Sequence, residues 1–220
     1  VEAVLLPQDQ APNDKYIPGK SIKVYVKKIK AGPRGPQVMV SRTCPGFVKK
    51  LFEIEVPEIA SGLIQIKAIV REAGYRTKMA VYCEDKKIDA VGACVGNRGM
   101  RVNAIVSELG GEKIDIIPWD PDILEFIARA LSPAKVVMVQ VNDEERAAKV
   151  VVMDDMLSLA IGKDGQNARL AAKLTGWKID VKPYSSLMQN EEEHEDEPQT
   201  EENESEEFND VFEEDLGDLE

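Results

Sequence analysis

The sequence has little of what metal-based and nucleophilic chemistry require. Histidine occurs once, as His194, and the three cysteines, Cys44, Cys83 and Cys94, stand far apart with no CxxC pair. One histidine, stranded in the acidic tail, excludes histidine-based metal sites and most Ser-His or Cys-His chemistry. Three isolated thiols build no disulfide framework and fit a reducing, cytoplasmic setting. Aromatic residues make up 5% of the 220, and no strand carries the regular stacking residues of an RRM sheet. No apolar run reaches the ~18–20 residues of a bilayer span, and the first residues lack the basic-then-apolar order of a signal peptide. Two carboxylate groups, Asp143-Glu144-Glu145 and Asp154-Asp155, raise an enzyme reading, since paired carboxylates can hold Mg²⁺. Their plainer reading is a hairpin turn and a helix start. The expectation is therefore a binding protein, with no enzyme activity, no cofactor, no metal and no membrane partner.

What is present is charge of unequal distribution. The net charge is −12, yet Gln189–Glu220 alone carries 17 acidic residues and no Lys or Arg. Residues 1–188 are left with 28 basic against 23 acidic side chains, a net of +5. Residues 1–44 hold eight basic and three acidic residues, which accounts for that whole excess. The protein is therefore a mildly basic body with a strongly acidic tail, not an acidic globule. The tail, from about Ser185, is low in complexity and is expected to be disordered.

Along the body, Ile22, Val24 and Val26 alternate with Lys23, Tyr25 and Lys27, the period of a half-buried strand. Gly32-Pro33-Arg34-Gly35-Pro36 interrupts, and Gln37–Arg42 resumes, which predicts a hairpin; Val1–Leu6 is a candidate third strand. From Pro45 the pattern becomes helical, with Pro57 opening a second helix that ends before Gly62. Two strands follow (63–73 and 76–83), then two helices (90–95 and 98–109) and a strand (113–117). After Pro118 the order returns: a helix over 120–131 capped by Asp120, strands over 135–141 and 147–153, helices over 155–161 and 166–174, and a strand over 177–182. This is an internal repeat. Val95-Gly96-Asn97-Arg98-Gly99 and Ile161-Gly162-Lys163-Asp164-Gly165 lie 66 residues apart, and Lys113-Ile114-Asp115 meets Lys178-Ile179-Asp180 at an offset of 65.

A GxxG turn between two helices presents backbone N–H groups at a helix N-terminus and leaves no Cβ in the way of a phosphate chain. A KH module grips about four nucleotides of single strand in this manner. Arg98 and Lys163 supply positive charge in the turns, and Arg101 and Arg169 lie on the helices just after them. One such turn is as readily an ordinary helix–turn–helix joint; two in the same strand and helix context favour a pair of clamps. Val91, Val95, Leu157 and Ile161 read as groove walls or as core. The basic hairpin, with Lys23, Tyr25 and Lys27, reads equally as the single-strand-binding face of an OB-type barrel or as a solvated strand.

Several longer segments carry a resemblance. Ser41–Phe47, Leu51–Glu58, Val91–Gly99, Glu108–Asp115 and Ala160–Arg169, in that order, closely resemble the NusA family of bacterial transcription elongation factors, over residues 1–184. The resemblance implies an α+β multidomain fold: an OB-fold part over 1–44, a first type II KH domain over 45–117, a second over 118–184, and the tail over 185–220. It implies Gly96–Gly99 and Gly162–Gly165 as phosphate clamps, with Arg101, Gln166, Asn167 and Arg169 as helical supports and an OB contribution around Lys23 and Lys27. It also implies binding to nascent single-stranded RNA and to RNA polymerase, with control of pausing, termination and antitermination by a monomer. Two departures stand out. The family begins with a polymerase-binding domain not found here, and residues 1–44 supply about three of an OB barrel's five strands, as expected of a fragment or a split product. The competing reading is the RNA-binding portion of an RNA-processing or ribosome-associated protein. A third is an interaction piece acting through the acidic tail.

Overall fold

The computed structural model describes residues 2–32 and 35–186. The predicted tail from residue 187 onward, and the hairpin tip at 33 and 34, lie outside the described residues. Three three-stranded sheets follow one another along the chain, the second and third sharing one topology.

The first sheet contains β1 (Ala3–Leu5), β2 (Tyr25–Gly32) and β3 (Gly35–Ser41), in the order β1-β3-β2. The hairpin β2–β3 is antiparallel, and β1 joins β3 in parallel. The expected burial of the alternating apolar face does not hold. Ile22 and Val24 precede the strand, and Ile22, Val24 and Val26 are 43%, 36% and 52% exposed. The reason is positional: β2 is the sheet's edge, and a bulge between Val26 and Lys28 breaks its alternation. What fixes this segment to the rest is Arg42, 4% exposed. Its guanidinium pairs with the Asp14 carboxylate, donates to Lys23 O at 2.6 Å, and reaches Glu108 at both Oε1 (2.9 Å) and O (2.7 Å). A buried guanidinium needs this many acceptors to offset its desolvation.

The second unit runs α1 (Pro45–Glu55), α2 (Pro57–Ala60), β4 (Ile64–Glu72), β5 (Arg76–Cys83), α3 (Ala90–Val95), α4 (Met100–Glu108) and β6 (Lys113–Pro118). Proline opens both α1 and α2, where a missing N–H costs nothing. Strand β5 lies between an antiparallel β4 and a parallel β6. A buried pair, Arg71 and Glu112 (2.8 Å), locks the β4–β5 turn, since Glu112 also accepts from Gly74 N and Thr77 Oγ1.

The third unit repeats the second: α5 (Ile123–Ala130), β7 (Val136–Asn142), β8 (Ala147–Val152), α6 (Leu157–Ile161), α7 (Gln166–Thr175) and β9 (Lys178–Pro183). Helix α5 starts later than predicted, and its cap is Asp122, which accepts from Leu124 N, not Asp120. Asp120 instead closes a turn by accepting from Asp122 N at 2.9 Å and pairs with Arg129. Helix α6 also starts late, because Asp154–Met156 forms a 3-10 turn.

The two repeats share one core. Residues of β5 are buried on both faces: Met79 and Val81 pack with α1, α3 and α4, while Ala80 packs with Phe126, Ile127, Leu131, Val150 and Ala171 of the second repeat. Lys78, fully buried, donates to Ser132 O at 2.8 Å and pairs with Asp115 at 3.0 Å. The repeats therefore form one packed body. No helix among the described residues is long and apolar enough to cross a membrane.

Candidate nucleic-acid interface

Each repeat builds the same turn between its two short helices. Gly96 (φ 75°, ψ 172°), Arg98 (50°, 31°) and Gly99 (78°, 11°) match Gly162 (76°, 172°), Asp164 (53°, 28°) and Gly165 (73°, 12°). The first glycine of each occupies a region of backbone space open only to glycine. A Cβ on Gly162 would also meet Asn167 Cβ at 2.8 Å and its backbone N at 2.9 Å; one on Gly96 would meet Arg101 Cγ at 2.8 Å. The following helices, α4 and α7, present their positive N-terminal ends at the turns.

Asn97, Arg98, Lys163 and Asp164 are exposed at the tips, and neither Arg98 nor Lys163 has an ion-pair partner among the described residues. Val95 is half-buried and Ile161 exposed beside them, with Met100 and Leu159 also exposed, so each turn has aliphatic surface next to its N–H groups.

The predicted helical supports divide. Arg101 donates from Nη1 to Ala93 O at 2.6 Å and to Glu58 Oε2 at 3.0 Å, so it ties α2, α3 and α4 together. Asn167 is fully buried and donates to Leu131 O (2.9 Å), Ala160 O (3.0 Å) and Leu159 O (3.3 Å), so it shapes the turn from inside and has no access to a ligand. Gln166 and Arg169 remain at the surface, held by one carboxylate. Gln166 Nε2 donates to Glu72 Oε2 at 2.8 Å, and Arg169 Nε donates to Glu72 Oε1 at 2.8 Å. The Arg169 hydrogen bond holds the Glu72 carboxyl below its ordinary range. Glu58 is lowered too, first by its own backbone N–H and then by Arg101.

In the first sheet, Lys23 and Lys27 are exposed but answered by acids, at 3.8 Å from Glu108 and 3.0 Å from Asp9. Tyr25 packs its ring over Gly46 and against the α1 cluster. Of the segments considered for a metal, residues 143–145 form a turn whose Glu144 and Glu145 backbone amides donate to Asn142 Oδ1, and the Asp154 carboxylate accepts from Ser185 N at 3.1 Å. No group of three His, Cys, Asp or Glu side chains that could hold a metal occurs among the described residues. Burial pushes the Cys94 thiol up to about 12, which leaves it an inert core residue. Sequence reasoning missed Glu58, Glu72 and Lys78, since each acts on a segment distant in the chain and carries no local signal.

Comparison with known proteins gives a consistent result. Residues 42–119 match the NusA-like first KH domain and residues 123–189 the NusA-like second KH domain. Proteins named Transcription termination/antitermination protein NusA are similar to most of the chain. One from Halalkalibacterium halodurans is 55% identical over 189 residues, 86% of this chain and 50% of that protein. One from Bacillus subtilis is 58% identical over 182 residues, 83% and 49% respectively. One from Thermus thermophilus is 49% identical over 178 residues, 81% and 46%. The chain spans about half the length of the curated relatives it matches.

Proposed function

The chain belongs to the NusA family, and from that premise we propose that it grips single-stranded nascent RNA with its two GxxG turns and so modulates pausing, termination and antitermination by RNA polymerase. It acts by binding, without catalysis, in the cytoplasm. The observation that carries this reading is the duplicated turn: two copies of one glycine-dependent backbone, each at a helix N-terminus with exposed aliphatic side chains beside it. Single-stranded RNA offers the matching chemistry, a phosphate chain for the N–H groups and unstacked bases for the aliphatic surface. A duplex offers no free bases. We read residues 1–44 as part of an OB-type barrel whose basic strand extends the RNA path, residues 45–117 and 118–184 as the two KH domains, and RNA polymerase as a partner, as the family resemblance implies.

The test replaces Asn97, Arg98 and Lys163 together with Asp. The fold tolerates this, because all three side chains are exposed at the turn tips and Asp164 already occupies in the second turn the left-handed position that Arg98 holds in the first. Affinity for single-stranded RNA is expected to fall by at least about tenfold, with a shallower salt dependence. A folded triple variant with unchanged affinity overturns the reading.

A further inference from the structure

We propose that Glu72, at the end of β4 in the first repeat, is a positioning residue for the clamp of the second: it holds Arg169 and Gln166 beside the Gly162–Gly165 turn in the orientation that takes an RNA phosphate. The inference rests on the clamp reading above and assigns to it a residue outside both turns.

The geometry is specific. The two oxygens of one carboxylate are divided between two side chains on the first turn of α7, Oε1 to Arg169 and Oε2 to Gln166, each at 2.8 Å. Arg169 is held a second time, by Nη1 donating to Asp164 O at 3.0 Å inside the clamp itself. These contacts use the Nε edge and one Nη1 hydrogen. Nη2 has no partner among the described residues, and the side chain is 44% exposed. Arg169 is therefore fixed on one edge and open on the other, next to a turn built for phosphate. Arginine binds phosphate through such an open edge. A long side chain that is already ordered loses less freedom when it grips a ligand.

The carboxylate is itself well anchored. Its chain neighbour Arg71 is 1% exposed in the buried Glu112 pair, and Glu112 also holds Gly74 N just beyond. The strand end that carries Glu72 is thus rigid. The contact is not what joins the repeats, because the shared core and Lys78 do that, and a partly exposed ion pair adds little to stability. Its distinct consequence is orientation. The first clamp has no equivalent: Asn103, which stands where Arg169 does, takes part in no ion pair and lies against its own turn, 3.0 Å from where a Cβ on Gly99 would fall.

The experiment uses the full chain and a single-stranded RNA of about twelve nucleotides, long enough for two clamps of about four each. Four variants are compared with wild type: Glu72→Ala, Glu72→Gln, Arg169→Ala and the double Glu72→Ala/Arg169→Ala. Glu72→Ala is expected to weaken binding about fivefold with an unchanged unfolding midpoint. Arg169→Ala is expected to weaken it about tenfold and to lower the salt slope by about one. The double variant should bind only slightly more weakly than Arg169→Ala, far short of the sum of the two losses, because only Gln166 is left to position. Glu72→Gln should recover most of the loss, since the amide oxygen still accepts from Arg169 Nε. Glu72→Ala binding as tightly as wild type overturns the inference. So does tighter binding, which would make Glu72 a competitor of phosphate, or losses that add in the double variant. The Asn97, Arg98 and Lys163 triple variant is run alongside: if it binds normally the clamp reading itself fails, and if it is impaired while Glu72→Ala is not, this inference alone fails.

Discussion

Arg101 and Asn167 are the second residues of α4 and α7, the same place in the two repeats, and they stabilise the same turn by different means. Each reaches back to a backbone carbonyl of the helix before the turn, Arg101 to Ala93 and Asn167 to Leu159 and Ala160. Each also reaches the helical segment that precedes the strands, Arg101 through Glu58 and Asn167 through Leu131 O. The first repeat does this with a partly exposed charged arm, the second with a fully buried amide. The second then uses its surface arginine, at the position of Asn103, to meet Glu72 of the first. The lesson is directional. The first turn is braced from within its own repeat and the second partly from its neighbour, so damage to the first repeat should reach the second turn more than the reverse.

The sharpest way to break the comparison is at the leading glycine of each turn. Gly162→Ala places a methyl against Asn167 Cβ and backbone N, neither of which can move without shifting α7. With the backbone strain added, a loss of about 4 kcal/mol is expected. Gly96→Ala meets Arg101 Cγ at 2.8 Å, which can turn aside, and Arg101 Cβ at 3.0 Å, which cannot, but no backbone atom is among its nearest contacts, so a smaller loss of about 3 kcal/mol is expected. Denaturant unfolding measures both; equal losses would remove the asymmetry.

A smaller effect separates the two braces themselves. Asn167→Ala takes the side-chain donor from Ala160 O and leaves Leu131 O with Ala134 N alone, for about 2 kcal/mol. Arg101→Ala leaves Glu58 able to turn to water, for about 1 kcal/mol. Chemical denaturation again decides, and a costlier Arg101→Ala would reverse the ranking.

Much of this was legible in the chain. The repeat announces itself through glycines that a fixed backbone requires, at matching positions in Val95–Gly99 and Ile161–Gly165, and the strands and helices around them follow from local period and from prolines at helix starts. Three things were not legible, for physical reasons. Alternation from Ile22 to Val26 looks like a buried face, yet burial depends on what packs against an edge strand, and the sequence of that strand does not state it. Asp120 and Asp122 are equally good caps on paper; the choice turned on which one closed a turn onto the other. Asn167 reads as a ligand-facing polar residue beside a phosphate turn, but its buried amide donates to three backbone carbonyls of its own repeat. Glu72 is 94 residues from Gln166 in the chain and 97 from Arg169, and no local pattern marks a contact over such a span.

The central claim is that the two turns, joined by one core, hold a single RNA strand as a unit. Affinity of the full chain for single-stranded RNA of about four, eight and twelve nucleotides tests it most directly, because one KH module accounts for about four. Linked clamps predict a steep rise, on the order of a hundredfold or more, once the strand is long enough to engage both. Affinity that levels off at about four nucleotides would mean that the clamps act one at a time, and would contradict the account.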